Sequence, residues 1–136
     1  MSELLANVAF TTRLPLAVLI VLGVKEWENR STCPVPVKGR CGMSVSRSSD
    51  ECEYANFVAF VKHHASERLQ KVVPCWDQAK NWRGKMIATM DYEVGEIPGD
   101  PIWDEGYRYW WRFSNVRLVE KPFLVRGDVG MWTVCR

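Results

Sequence analysis

The sequence predicts a small α+β domain, mainly β, in which several strands curve into a barrel with two helices on its flanks. Three observations carry this expectation. Most of the periodic segments alternate apolar and polar residues with a spacing of two, as half-buried strands do. Only two segments have helical spacing, and no strand-helix-strand rhythm repeats along the chain. The chain has 136 residues, 47% of them hydrophobic, which suits one core and a single domain over residues 1–136.

Val8 to Arg13 alternates weakly and reads as a short strand. Leu14 to Leu22 is wholly apolar, with Pro15 in its first turn and Gly23 directly after it, so a buried helix ended by glycine is expected. Pro34 and Pro36 impose an extended approach to a strand over Val37 to Ser46, with Lys38-Gly39 at its entry. Ser48-Ser49-Asp50 supplies a turn and a helix cap. Ala55, Val58, Ala59 and Val61 then line one side of a second helix running to about Val72, and Pro74 stops it.

A polar loop through Trp82-Arg83-Gly84 leads into a strand over Lys85 to Val94. Met86, Ala88, Met90 and Tyr92 fall on one face of it, opposite Ile87, Thr89, Asp91 and Glu93. Gly95 to Gly106 is a loop rich in proline, glycine and acids. Tyr107 to Leu118 forms the clearest strand, with Tyr107, Tyr109, Trp111 and Phe113 on a core face and Arg108, Trp110 and Arg112 on a solvent face. Pro34 to Met43 also echoes Pro122 to Met131, with six positions identical or both basic in register. Two strands entering a barrel through similar glycine-containing bends explain this more simply than a duplicated ligand loop.

Eighteen Lys and Arg against sixteen Asp and Glu give a net charge of +2, so the total neither demands nor excludes a polyanionic partner. Five cysteines, Cys33, Cys41, Cys52, Cys75 and Cys135, are odd in number and irregular in spacing. Reduced thiols in a cytoplasmic protein are expected. Arg13 precedes Leu14 to Leu22 as a positive residue precedes a signal-peptide core. That run is far short of the ~20 residues a membrane span needs, however, and no small-x-small cleavage site follows, so no membrane partner is expected. The sequon Asn29-Arg30-Ser31 has no role in a chain that is not secreted. His63 and His64 are neighbours on a helix and diverge, and no His, Cys or acid cluster has metal spacing, so neither metal nor other cofactor is expected. Lys62, Arg68 and Lys71 read as the solvated side of that helix.

The stretch Gly23-Val24-Lys25-Glu26-Trp27-Glu28-Asn29-Arg30 concentrates ionisable residues after the apolar helix. A lysine in a partly apolar pocket has its pKa lowered and becomes a base or nucleophile, a nearby glutamate can move a proton, and an arginine can hold an anion. Gly23, Lys25, Glu28 and Arg30 meet the glycine-x-lysine-x-x-glutamate-x-arginine signature of the ASCH family, a branch of the PUA-like β-barrel superfamily, at every defined position. The chain further resembles that family in Arg13-Leu14-Pro15, in the strand ending Ser44-Val45-Ser46-Arg47, and in Trp111 to Arg117 leading into Pro122 to Trp132. The resemblance covers roughly Val8 to Ser49 and Lys85 to Val134.

It implies a PUA-like barrel that binds RNA or a modified nucleobase or nucleoside in a cleft beside the motif. It also admits hydrolysis, since family members include an N4-acetylcytidine amidohydrolase and a ribonuclease. That amidohydrolase branch keeps a threonine three residues after the lysine, where this chain has Glu28. On the resemblance, Lys25 and Glu28 are the candidate catalytic pair. Arg30, Arg13, Ser46 and Arg47 are candidate ligand-binding residues around the cleft, and Tyr109, Trp110 and Trp111 are candidate stacking residues on the aromatic strand. Asp91, Glu93 and Glu96 are candidate second carboxylates, and Trp27 reads as packing. A non-catalytic reader is the alternative to an enzyme, and a protein-interaction adaptor using the Ile97 to Trp103 loop is the third class.

Overall fold

The computed structural model describes residues 8–64, 71–96, 105–127 and 130–134. Its elements in chain order are β1 (Val8–Thr12), α1 (Leu14–Val21), β2 (Trp27–Arg30), β3 (Lys38–Val45), α2 (Glu51–His64), α3 (Trp76–Ala79), β4 (Lys85–Gly95), β5 (Tyr109–Leu124) and β6 (Met131–Thr133). The strands make one sheet in the order β2-β5-β4-β3-β1-β6, curled into a half-barrel, with three short helices among the described residues. The expected mainly β, α+β class is the one found. The single-turn α3, continued by a 3₁₀ turn at Lys80–Trp82, adds to the two expected helices and replaces what reads in sequence as a polar loop.

The sheet is mixed. β1 and β3 run parallel, in register from Ala9 opposite Gly42 to Thr12 opposite Val45, while every other pair is antiparallel. A parallel pair needs a crossover, and here α1 and β2 supply it. That single crossover escapes a search for a repeating rhythm. β2 itself is only four residues long and lies inside the charged motif, so it carries too little alternation to read as a strand.

α1 forms because nearly all its residues are apolar and Pro15 sits in its first turn, where a missing N–H costs nothing. Its first amide, Leu14 N–H, is capped from a distance by Ser49 Oγ at 2.9 Å. At its other end Gly23 takes a φ of +74°, and the amides of Gly23 and Val24 bond the carbonyls of Ile20 and Leu19. This is the paired closure that lets a helix stop on a left-handed residue. Lys25 N–H also bonds Leu19 C=O at 3.2 Å, so the helix end fixes where the lysine begins.

α2 starts as expected, with Asp50 Oδ1 accepting from Glu53 N–H at 2.7 Å. Its inward face differs. Tyr54 and Val61 are buried and Val58 half-buried, whereas Ala55 and Ala59 face solvent. Tyr54 wins the inward position because its ring packs near Trp76 and its hydroxyl donates to Pro74 C=O at 2.6 Å. The expected run towards Val72 crosses residues 65–70, which lie outside the described set, as do most of the Gly95 to Gly106 loop, Arg68 and Cys135.

The core gathers under the sheet around Phe10, which stacks on Phe113 at 5.0 Å and meets Trp111 edge-on at 5.7 Å. A second cluster of Ala9, Met86, Val119 and Val125 lies beside it. β4 is central, flanked by β3 and β5, so Met86 through Met90 are all buried and the expected two-faced alternation breaks down there. Irregularities opposite Met86–Ala88 and Thr89–Asp91 shift its register against β5. The echoing segments are not equivalent in structure: Lys38-Gly39 enters β3, whereas Arg126-Gly127 follows the end of β5. None of the described helices is long and apolar enough to cross a membrane. Cys33, Cys41, Cys52 and Cys75 are free thiols.

Candidate functional site

A cleft of about 870 Å³ opens at the C-terminal ends of the parallel strands β1 and β3. Thr11, Thr12 and Arg13 form one side, Ser44 to Arg47 another, and Gly84 with Val125, Arg126 and Gly127 a third, while Arg30 reaches in from β2. Four guanidinium groups and four hydroxyls therefore share one concavity. Among the described residues, neither a carboxylate nor an aromatic ring lines it.

Backbone bonds hold the third wall in place. Gly84 N–H donates to Val45 C=O at 2.7 Å, Val125 N–H donates to Gly84 C=O at 3.0 Å, and Arg47 Nη2 reaches Val125 C=O at 3.4 Å. Gly127 is needed there because a β-carbon would collide with the Thr11 hydroxyl. Thr11 Oγ1 is 2.9 Å from Ser44 Oγ and accepts from Trp132 Nε1 at 3.0 Å. The parallel register puts those two hydroxyls side by side.

Arg30 is the most constrained of the four arginines. Its Nη1 donates to Glu28 Oε2 at 2.7 Å, both terminal nitrogens reach Thr11 C=O at 3.5 Å, and its guanidinium lies over Trp111 at 5.0 Å and Phe10 at 5.4 Å. Glu28 is 2% exposed and also accepts from Thr12 Oγ1 at 3.2 Å. It stands behind the cleft lining and supports it. Lys25, 3% exposed, interacts electrostatically with Glu28, Glu105 and Arg30, and burial pushes its ammonium below the ordinary lysine pKa despite the two carboxylates.

At the rim, Arg13 Nε makes a very short ion pair with Glu53 of α2 and Arg13 Nη1 donates to Ser48 Oγ at 3.3 Å. Ser48 Oγ in turn lies 2.7 Å from Ser46 Oγ. Arg47 and Arg126 have no ion-pair partner among the described residues. Two of the four guanidiniums are thus matched by carboxylates, and two are not.

Arg13, Arg30, Ser46 and Arg47, the candidate ligand-binding residues named on the resemblance, all line this cleft. Lys25 and Glu28 do not line it: both are buried, and Glu28 reaches the lining residues Thr12 and Arg30. Tyr109, Trp110 and Trp111 do not line it. Trp111 is fully buried, with its indole N–H donating to Thr32 C=O at 2.9 Å, and Tyr109 is half-buried. Trp110 corrects the expected solvent-exposed Arg-Trp-Arg face: it lies between Asn29 of β2 and Gly95 of β4 and is 3% exposed, covered by the tertiary fold. Only Arg108 and Arg112 of that face are exposed, and they pair with Glu96 and Glu26. Trp27 is half-buried beneath the Arg112 guanidinium.

Asp91, Glu93 and Glu96 lie away from the cleft; Asp91 is held below the usual carboxylate range by hydrogen bonds from Asn115 and Arg40. Two contributors escape the sequence reading. Arg126 carries a signal in the Pro122 to Met131 echo, where it matches Lys38. Asn29 carries none, yet its side-chain amide bonds the backbone of Glu105, Tyr107 and Tyr109 and so anchors the entry to β5 beside β2. No group of three His, Cys, Asp or Glu among the described residues could hold a metal. No protein-family model matches the chain, and no curated protein matches it.

Proposed function

We propose that the protein binds RNA or a modified nucleoside in the cleft beside Gly23 to Arg30, as an ASCH-like, PUA-like domain working in the cytoplasm. The observation that carries this reading is the convergence of Arg13, Arg30, Arg47 and Arg126 with the hydroxyls of Thr11, Thr12, Ser44 and Ser46. Guanidiniums offer fixed forks of donors, and hydroxyls adapt to either donor or acceptor edges, which together suit nucleic-acid groups. Arg30 is held in place before any ligand arrives, so little of its side-chain entropy is lost on binding.

Binding without turnover is the better-supported form of this reading. Neither member of the candidate catalytic pair lines the cleft, both Lys25 and Glu28 are buried, and Glu28 is already engaged by Arg30 and Thr12. The hydrolase form draws on one observation, the lowered pKa of Lys25 beside a carboxylate, which suits a base or a nucleophile. An eight-nucleotide RNA and N4-acetylcytidine, each titrated calorimetrically and assayed for product by chromatography, separate the forms. Binding without product, with RNA affinity weakened in an Arg47→Gln variant, is the expected result. Product formed by the wild type and lost in Lys25→Met would replace the reader with an enzyme, and no binding of either ligand would end both.

A further inference from the structure

Four arginines line the cleft, and among the described residues carboxylates answer two of them: Glu28 pairs with Arg30 and Glu53 with Arg13. Among the described residues Arg47 and Arg126, both exposed, leave an excess of about two positive charges facing one concavity. A neutral ligand leaves that excess unanswered. The described lining offers no aromatic ring on which a nucleobase could stack, because Trp111 and Phe10 are sealed beneath Arg30 and Trp110 is buried elsewhere. The lining is instead made of guanidiniums and small hydroxyls, the donors that oxyanions take.

We propose that the group gripped in this cleft is a phosphate, so that the ligand enters as a nucleotide and not as an uncharged nucleoside. The inference rests on the nucleic-acid reading above and narrows it. Arg47 and Arg126 flank the phosphate, and Arg30 lies at the floor with its fork already oriented by Glu28. The Ser44 and Ser46 hydroxyls donate to the remaining oxygens. Gly127 keeps the wall by Thr11 free of a side chain where the phosphate sits. The phosphate belongs either to a mononucleotide or to the backbone of an RNA strand; the chemistry recognised is the same.

Calorimetric titration of the full chain with cytidine, cytidine 5′-monophosphate, pyrophosphate and an eight-nucleotide RNA, at 50 and 200 mM salt, tests this. Cytidine monophosphate is expected to bind at least tenfold more tightly than cytidine. Arg47→Gln and Arg126→Gln, both surface changes, are each expected to lower its affinity about tenfold and to leave cytidine unaffected. An RNA source is marked by the octamer exceeding the mononucleotide, with a salt slope that falls by about one per arginine removed. A mononucleotide source is marked by the reverse order. Equal affinity for cytidine and its monophosphate, or wild-type affinity in both variants, overturns the phosphate assignment even if RNA still binds. Pyrophosphate bound through Arg126, with no nucleotide or RNA bound, keeps the phosphate and removes the nucleic-acid reading.

Discussion

Glu28 and Arg30, two residues apart on β2, form an ion pair at 2.7 Å that joins parts of the sheet the backbone ladder leaves apart. β2 stands at one edge of the strand order and β1 near the other, yet Glu28 accepts from Thr12 Oγ1 and Arg30 reaches Thr11 C=O. Side chains thus draw the curled sheet towards closure, and the spacing of two makes this possible because both residues project from the same face of the strand. The same contacts make one side of the arginine-lined cleft. The fold and the candidate site are therefore linked through a single buried carboxylate.

Removing either member of this pair should destabilise the protein unequally. Arg30→Met leaves a carboxylate that is 2% exposed without its main partner and should cost about 3–5 kcal/mol. Glu28→Gln keeps a hydrogen-bonding side chain beside a guanidinium with some access to water, and should cost about 1–2 kcal/mol. Urea unfolding followed by circular dichroism measures both. Equal losses, or losses under 0.5 kcal/mol, would mean the seam does not depend on the charge.

Much of this architecture is legible in sequence, for reasons specific to each element. The wholly apolar Leu14 to Leu22 run, with Pro15 and Gly23 at its ends, leaves no alternative to a buried helix, and α1 follows it within a residue. Arg13, Ser46 and Arg47 are named together only through the family resemblance; what makes them neighbours, their positions directly after two strands that pair in parallel, is seen in the structure. What is not legible is long-range. Trp110 alternates with two arginines and so looks exposed, but long-range packing that leaves no mark on the local alternation covers it to 3% exposure. Arg126 enters the cleft only because β5 continues to Leu124 before turning, beyond the periodic stretch that marks its start.

Lys25 should make stability depend on alkaline pH. Its folded pKa lies below 10.5 because burial penalises the ammonium more than Glu28 and Glu105 favour it. Between the folded and unfolded values the unfolded chain binds more protons, so stability rises as pH increases through that window. Wild-type protein should therefore gain stability relative to Lys25→Met as pH climbs towards 10.5, with the variant the more stable of the two at pH 7. Chemical denaturation of both proteins at several pH values checks the slope; parallel curves would contradict it.

Cys41 should act in the opposite sense. Burial pushes its thiol up to about 12, against 9.0 when unperturbed, so the unfolded chain loses this proton first. Its contribution is complete below pH 9 and drains away as pH rises from 9 towards about 12. Cys41→Ala should flatten that decline, whatever its own cost at neutral pH. In native protein at pH 8 a thiol reagent should modify the exposed Cys33, Cys52 and Cys75 readily and reach Cys41 only on unfolding.

Glu53 should compete with ligand for Arg13. One of its carboxylate oxygens holds Arg13 Nε and the other is buried without a hydrogen-bond partner, so the group lies against the cleft rim incompletely satisfied. An anion in the cleft meets an Arg13 whose charge is already partly answered. Glu53→Gln removes that competing charge while keeping the shape and a hydrogen-bonding amide at the head of α2. The pair is part-exposed, with side chains 46% and 32% accessible, so screening limits the effect to below about 1 kcal/mol. Affinity for pyrophosphate should accordingly rise two- to fivefold in Glu53→Gln at 50 mM salt, and the gain should shrink at 200 mM. A loss of affinity would instead show that Glu53 holds Arg13 in its binding position, and that the rim depends on the ion pair as much as on the arginine.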